Sequence, residues 1–194
     1  MAELGYLFPV SVYREENLLS EIELAKLKKH SLKVYKEVPC GVDSWTGNTY
    51  ATLNTLNLKD DKVFTPLLNK IAEHVQSFSK MHGSENAEYD IESSWLNVNE
   101  KNSFQEFHTH NGSIFSAVYW VATPEGSGNL VFEDPKDPDM FPVKNINEHN
   151  ELSYTRYTMN AQENVLILFR SYLRHMVLPC ENKKPRISIA VNYR

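Results

Sequence analysis

Cysteine is scarce in this sequence. Cys40 and Cys180 form neither a CxxC pair nor a disulfide framework, so a reducing compartment, the cytoplasm, is expected. Long apolar runs are missing as well. None approaches the roughly 18 residues that a membrane-crossing helix needs, and the opening Met1-Ala2-Glu3-Leu4-Gly5 has neither the cationic nor the apolar region of a secretion signal. No membrane partner is expected. Positive charge is in deficit: 20 Lys and Arg stand against 25 Asp and Glu, a net charge of −5. The one dense basic stretch, Lys26–His30, is mixed. Electrostatic nucleic-acid binding is therefore not expected, whereas a small-molecule or peptidyl substrate is compatible with this balance. Internal repeats and low-complexity tracts are absent.

With 194 residues, 41% of them hydrophobic and 23% charged, the chain reads as one globular domain. It is long enough to bury roughly 70% of its unfolded surface. Oligomeric state is open, and a homodimer is compatible with the composition.

Two textures divide the chain. Residues 1–87 read as a helical and irregular support region. Leu7–Tyr13 reads as an edge strand, because Pro9 cannot donate to a ladder. Asn17 is placed to cap a first helix, on which Leu18, Leu19, Ile22, Ala25 and Leu32 recur at helical spacing. Residues 40–60 are polar and irregular. Trp45 and Tyr50 within them either line a pocket or pack on the core. A second helix is capped by Thr65, with Pro66 at its first position, Phe64, Leu67, Leu68, Ile71, Val75 and Phe78 in one stripe and Gly83 as its stop. From residue 88 eight β-prone segments follow: 91–99, 104–110, 114–121, 129–133, 152–158, 164–169, 175–179 and 186–193. Eight strands behind two helices predict a mainly β fold, a jelly roll (double-stranded β-helix, cupin-like) in 88–194 packed against N-terminal helices. The proline- and acid-rich Glu133–Pro142 breaks the strand pattern and is either a surface loop or a lid.

Three of the seven histidines carry the chemistry. In a strand, residues i and i+2 share a face, so His108 and His110 point the same way. Such a pair is either solvent-facing or two ligands to one metal ion. His175 begins a later strand after a turn. In Arg186–Asn192, alternation places Arg186, Ser188, Ala190 and Asn192 on one face and Ile187, Ile189 and Val191 on the other. An arginine turned into an apolar barrel is costly without an anion, and a carboxylate-bearing cosubstrate would bind guanidinium bidentately.

In order and spacing, several pieces of this chain together resemble the iron(II)- and 2-oxoglutarate-dependent oxygenases. These are Leu7–Val10, Trp95–Asn99, His108-Thr109-His110, Ser116–Val121, Gly128–Pro135, Leu168–His175 and Arg186–Asn192. More narrowly they resemble the "putative 2OG-Fe(II) oxygenase" group of bacteria and their phages. The resemblance implies a double-stranded β-helix and a non-haem iron site with positions open to 2-oxoglutarate and oxygen. His108 stands as first ligand and His175 as the distal one. His110 stands where the wider family has Asp, implying a three-His face with one negative charge fewer. Arg186, with Ser188, would take the distal carboxylate of 2-oxoglutarate. Trp120, whose indole N–H can donate, is either a second cosubstrate contact or core packing, and Asn97 and Asn99, which share a face with Trp95, either line the cavity or form turns. The activity implied is hydroxylation of a substrate C–H bond with release of succinate and CO2. Two alternatives stay open: a three-His iron dioxygenase that does not use 2-oxoglutarate, and a non-catalytic jelly-roll protein that binds metal or ligand.

Overall fold

A computed structural model describes residues 2–42, 46–136 and 144–194. The elements in chain order are β1 (Val12–Glu16), α1 (Glu21–Glu37), β2 (Tyr50–Ala51), a 3-10 turn (Leu58–Asp60), α2 (Thr65–Met81), β3 (Ile91–Asn99), β4 (Gln105–His108), β5 (Phe115–Ala122), β6 (Leu130–Glu133), β7 (Arg156–Met159), β8 (Val165–Arg170), β9 (His175–Val177) and β10 (Arg186–Tyr193). All pairings among the described strands are antiparallel, in a six-stranded sheet ordered β1-β8-β5-β10-β3-β2 and a four-stranded sheet ordered β4-β9-β6-β7.

Period-2 alternation sorts the side chains of the larger sheet. On β8, Leu166 and Leu168 join the cluster beneath the helices, while Val165, Ile167 and Phe169 turn to the smaller sheet. On β10, Ile187, Ile189 and Val191 face the helices. The opposite row, Arg186, Ser188, Ala190 and Asn192, lies between the sheets, and all eight residues of β10 are buried. Strands covered on both faces are fixed in register, because a slip by one residue would exchange the two sets. The jelly roll expected from the sequence is thus the observed architecture, with the polar row of β10 inside it.

The helices close the other side of the larger sheet. The α2 stripe Leu67, Leu68, Ile71, Val75 and Phe78 is buried as expected, and Gly83 ends the helix at φ 82°. Burying each such side chain is worth about 1.5–3 kcal/mol. Thr65 is the first helical residue rather than the cap; Phe64 holds the cap position without a side-chain bond.

Helix α1 departs further from its expected reading. Ser20, not Asn17, caps it, in a reciprocal capping box with Glu23, and Asn17 instead takes a left-handed turn at φ 55°. The buried face is Leu24, Leu27, Ser31 and Val34, with Ile22 and Ala25 exposed. Leu18 and Leu19 are buried, but they precede the helix and so do not share its periodicity. The first strand also begins later than expected, at Val12, leaving Leu7 and Phe8 exposed; it does form a sheet edge, paired to β8 alone. With β2 at the opposite edge, the first 87 residues supply both borders of the larger sheet. The aromatic Trp45, and residues 137–143 of the expected lid, lie outside the described residues.

Candidate metal and cosubstrate site

Strands β4 and β9 pair so that His108 lies directly opposite His175. The ladder is irregular between Gln105 and His108. That irregularity lets both side chains line the inter-sheet cavity, although they are three positions apart. His110 lies two residues past the end of β4, outside the strand once expected to reach it. A turn containing Gly112 at φ 93° follows, and the His110 N–H donates to Ser171 O at 3.1 Å. That carbonyl belongs to the turn leading into β9, so one connection fixes both His110 and His175.

Each of the three imidazoles offers a ligand nitrogen within 4.8 Å of the others'. Nε2 of His110 and Nε2 of His175 are 3.3 Å apart. Nitrogens about 2.1 Å from one metal and at right angles would stand about 3 Å apart, so His110 and His175 are spaced as two ligands of one ion, with His108 the third donor of the cluster. His108 Nδ1 bonds to Glu106 O at 2.7 Å and His175 Nδ1 to Leu173 O at 2.9 Å. Both rings therefore turn Nε2 to the centre.

Burial is the main reason all three stay neutral. It lowers the pKa of His108, and it lowers that of His175 well below the ordinary histidine value, with His108 and His110 adding like charge. His110 is lowered to about 4 by burial and by His108, against a hydrogen bond to Asn192. Neutral imidazole is the form that binds metal.

These histidines line one cavity together with Arg186 and Ser188. Arg186 is 1% exposed. Its Nη1 donates to Asn99 Oδ1 and Ser188 Oγ, both at 3.1 Å, while its Nε has no partner among the described residues. Among the described residues no carboxylate pairs with it. Burial pushes its pKa down to about 10, which leaves it a cation at neutral pH. A buried cation with an unused N–H has the chemistry to take a carboxylate.

A model of the family described as "Putative 2OG-Fe(II) oxygenase" matches residues 93–192, the segment that holds the three histidines and Arg186. The chain belongs to that family. It is a non-haem iron oxygenase dependent on 2-oxoglutarate, an oxidoreductase, and Fe(II) and 2-oxoglutarate are its cofactors. Solved structures agree on the fold. A Pseudomonas putida prolyl-4-hydroxylase superposes with TM-score 0.66 at 13% identity, over 95% of this chain and 93% of its own. A 2OG-Fe(II) oxygenase family oxidoreductase from Burkholderia pseudomallei gives 0.64 at 19% identity, over 94% and 84%. The epimerase SnoN from nogalamycin biosynthesis gives 0.71 at 13% identity, over 95% and 78%. No curated protein matches the sequence closely enough to count as a relative.

The structure of this oxygenase brings His108, His110, His175, Arg186 and Ser188 to one cavity, and Asn97 also lines it. Trp120 is the exception. It is fully buried among Leu130, Phe132, Val165, Ile167 and Phe169, outside the cavity wall, and its indole N–H has no hydrogen-bond partner. Its β5 position opposite Ser188 carries it into the apolar packing between the sheets. Gln105 was not foreseen, because the ladder irregularity that turns it inward leaves no mark on the alternation pattern. Asn99, expected as a cavity residue or a turn former, instead anchors Arg186.

Proposed function

We propose that this oxygenase hydroxylates a C–H bond of a small-molecule or peptidyl substrate, with release of succinate and CO2. His108, His110 and His175 hold the iron, and Arg186 with Ser188 holds the distal carboxylate of 2-oxoglutarate. Bound there, iron and 2-oxoglutarate supply the oxidising chemistry: one atom of O2 goes to succinate as the keto acid loses CO2, the other to the substrate.

The chain's own residues do three things. The main-chain bonds at Nδ1 of His108 and His175 fix which nitrogen each ring presents. The Asn99 and Ser188 contacts hold the guanidinium of Arg186 in place. The apolar walls, Val118, Leu130, Phe169 and Val177, limit water at the site.

The observation that carries this reading is the pairing, in one cavity, of a three-imidazole cluster with a buried arginine that has no acid partner among the described residues. The same arginine favours use of 2-oxoglutarate over a three-His dioxygenase without it, which would have no need of a buried cation. Mixing the protein with Fe(II), 2-oxoglutarate and oxygen should yield succinate in proportion to the 2-oxoglutarate consumed. Stoichiometric iron binding with no succinate would refute the assignment.

A further inference from the structure

The three imidazoles are not held alike. His108 and His175 each tie Nδ1 to a main-chain carbonyl two residues earlier. His110 lies beyond the end of β4, and among the described residues no main-chain carbonyl holds its ring. The χ2 torsion of a histidine is broad and two-fold, so a ring without such a bond needs another stop. The indole of Trp95 supplies it. The two rings are stacked, with 5.6 Å between centroids and 20° between planes, the spacing of an offset aromatic pair. Turning the His110 plane out of line would drive the ring edge toward the indole.

Trp95 is itself fixed. It is buried and packs with Ala51, Ala190 and Val42, and Ala190 is its partner across the β3–β10 ladder. Its indole N–H donates to Asn97 Oδ1 at 3.1 Å, two residues along the same face of β3. Trp95 lines the cavity that holds the three histidines. With its N–H engaged by Asn97, it offers that cavity a flat apolar surface and not a donor.

We infer that Trp95 is a positioning residue: its indole sets the plane of the His110 ring, as main-chain carbonyls hold the rings of His108 and His175. The inference rests on His110 being a metal ligand, as proposed above. An aspartate at position 110 has no ring to be stacked and would not depend on Trp95.

A stacked aromatic pair is worth roughly two- to tenfold in an equilibrium constant. Trp95→Leu should therefore weaken Mn(II) binding by that factor in the wild-type background and leave it unchanged in a His110→Asp background, the comparison that isolates the pair. Trp95→Phe keeps a flat face but has no N–H for Asn97, and it should bind Mn(II) as the wild-type protein does. In the Zn(II)-loaded wild-type protein, a nuclear Overhauser effect should join indole protons of Trp95 to ring protons of His110. An equal loss from Trp95→Leu in both backgrounds, a Trp95→Phe variant as weak as Trp95→Leu, or no such Overhauser effect would overturn the role of Trp95. If Trp95→Leu fails to fold, the affinity of Trp95→Phe and the Overhauser effect decide. Undiminished metal binding by His110→Ala would instead remove the ligand assignment itself. Loss of metal in His110→Ala with none in Trp95→Leu removes only the role of Trp95.

Discussion

Replacing Arg186 by alanine tests whether the buried face of β10 binds 2-oxoglutarate. The guanidinium is 1% exposed and positioned by Asn99 Oδ1 and Ser188 Oγ, with no acid partner among the described residues. In the complex it would form a desolvated, charge-assisted pair with the distal carboxylate of 2-oxoglutarate. Truncating one side of such a pair leaves the other charge buried and unpaired, at a cost of about 2–5 kcal/mol. That corresponds to roughly thirty-fold to several-thousand-fold weaker binding. Iron should be retained, because the metal-ligand nitrogens come from the three histidines and not from Arg186. Anaerobic titration calorimetry of the Mn(II)-loaded protein with 2-oxoglutarate reads the effect directly, with metal content measured on the same samples. Arg186→Lys should fall between wild type and Arg186→Ala, since lysine keeps the charge but not the fork. Unchanged 2-oxoglutarate affinity in Arg186→Ala would refute the reasoning and leave a three-His dioxygenase as the better reading.

The remaining predictions concern the histidines. His108→Ala and His175→Ala should reduce metal content, measured by elemental analysis, to background; stoichiometric metal in either removes the site. His110→Ala should lose metal while His110→Asp keeps it, because carboxylate oxygen also suits iron. The metal-free protein should lose stability as pH falls. The folded pKa of His110 lies near 4, below the ordinary 6.5, so under pH 6.5 the unfolded chain takes up protons that the folded chain refuses. Its stabilising contribution is complete above pH 6.5 and is lost toward pH 4, about 3 kcal/mol for His110 alone. Urea denaturation across that interval measures it, and a midpoint independent of pH would contradict the burial described.

Much of this was legible in the sequence because strands report their two faces. The alternation in Arg186–Asn192 separates Arg186 and Ser188 from Ile187 and Ile189, as the two sheet faces do. The i, i+2 spacing of His108 and His110 survives even though His110 lies beyond the strand end, because the turn through Gly112 holds it to Ser171. What failed was set by tertiary context. The face of α1 could not be read from Leu18 and Leu19, since the capping box at Ser20 starts the helix after them. Trp120 carries a donor that the sequence cannot place, and the register with Ser188 and Val165 sends it into apolar packing. The stack of Trp95 on His110 depends on how β3 lies against the turn after β4, which no local pattern encodes.

A crystal structure of the protein loaded with Mn(II) and 2-oxoglutarate in the absence of oxygen tests the central claim most directly. One metal ion bound by Nε2 of His108, His110 and His175 is expected, with the distal carboxylate of 2-oxoglutarate hydrogen-bonded to Arg186. A metal ion bound without His110, or a carboxylate seated away from Arg186, would contradict it.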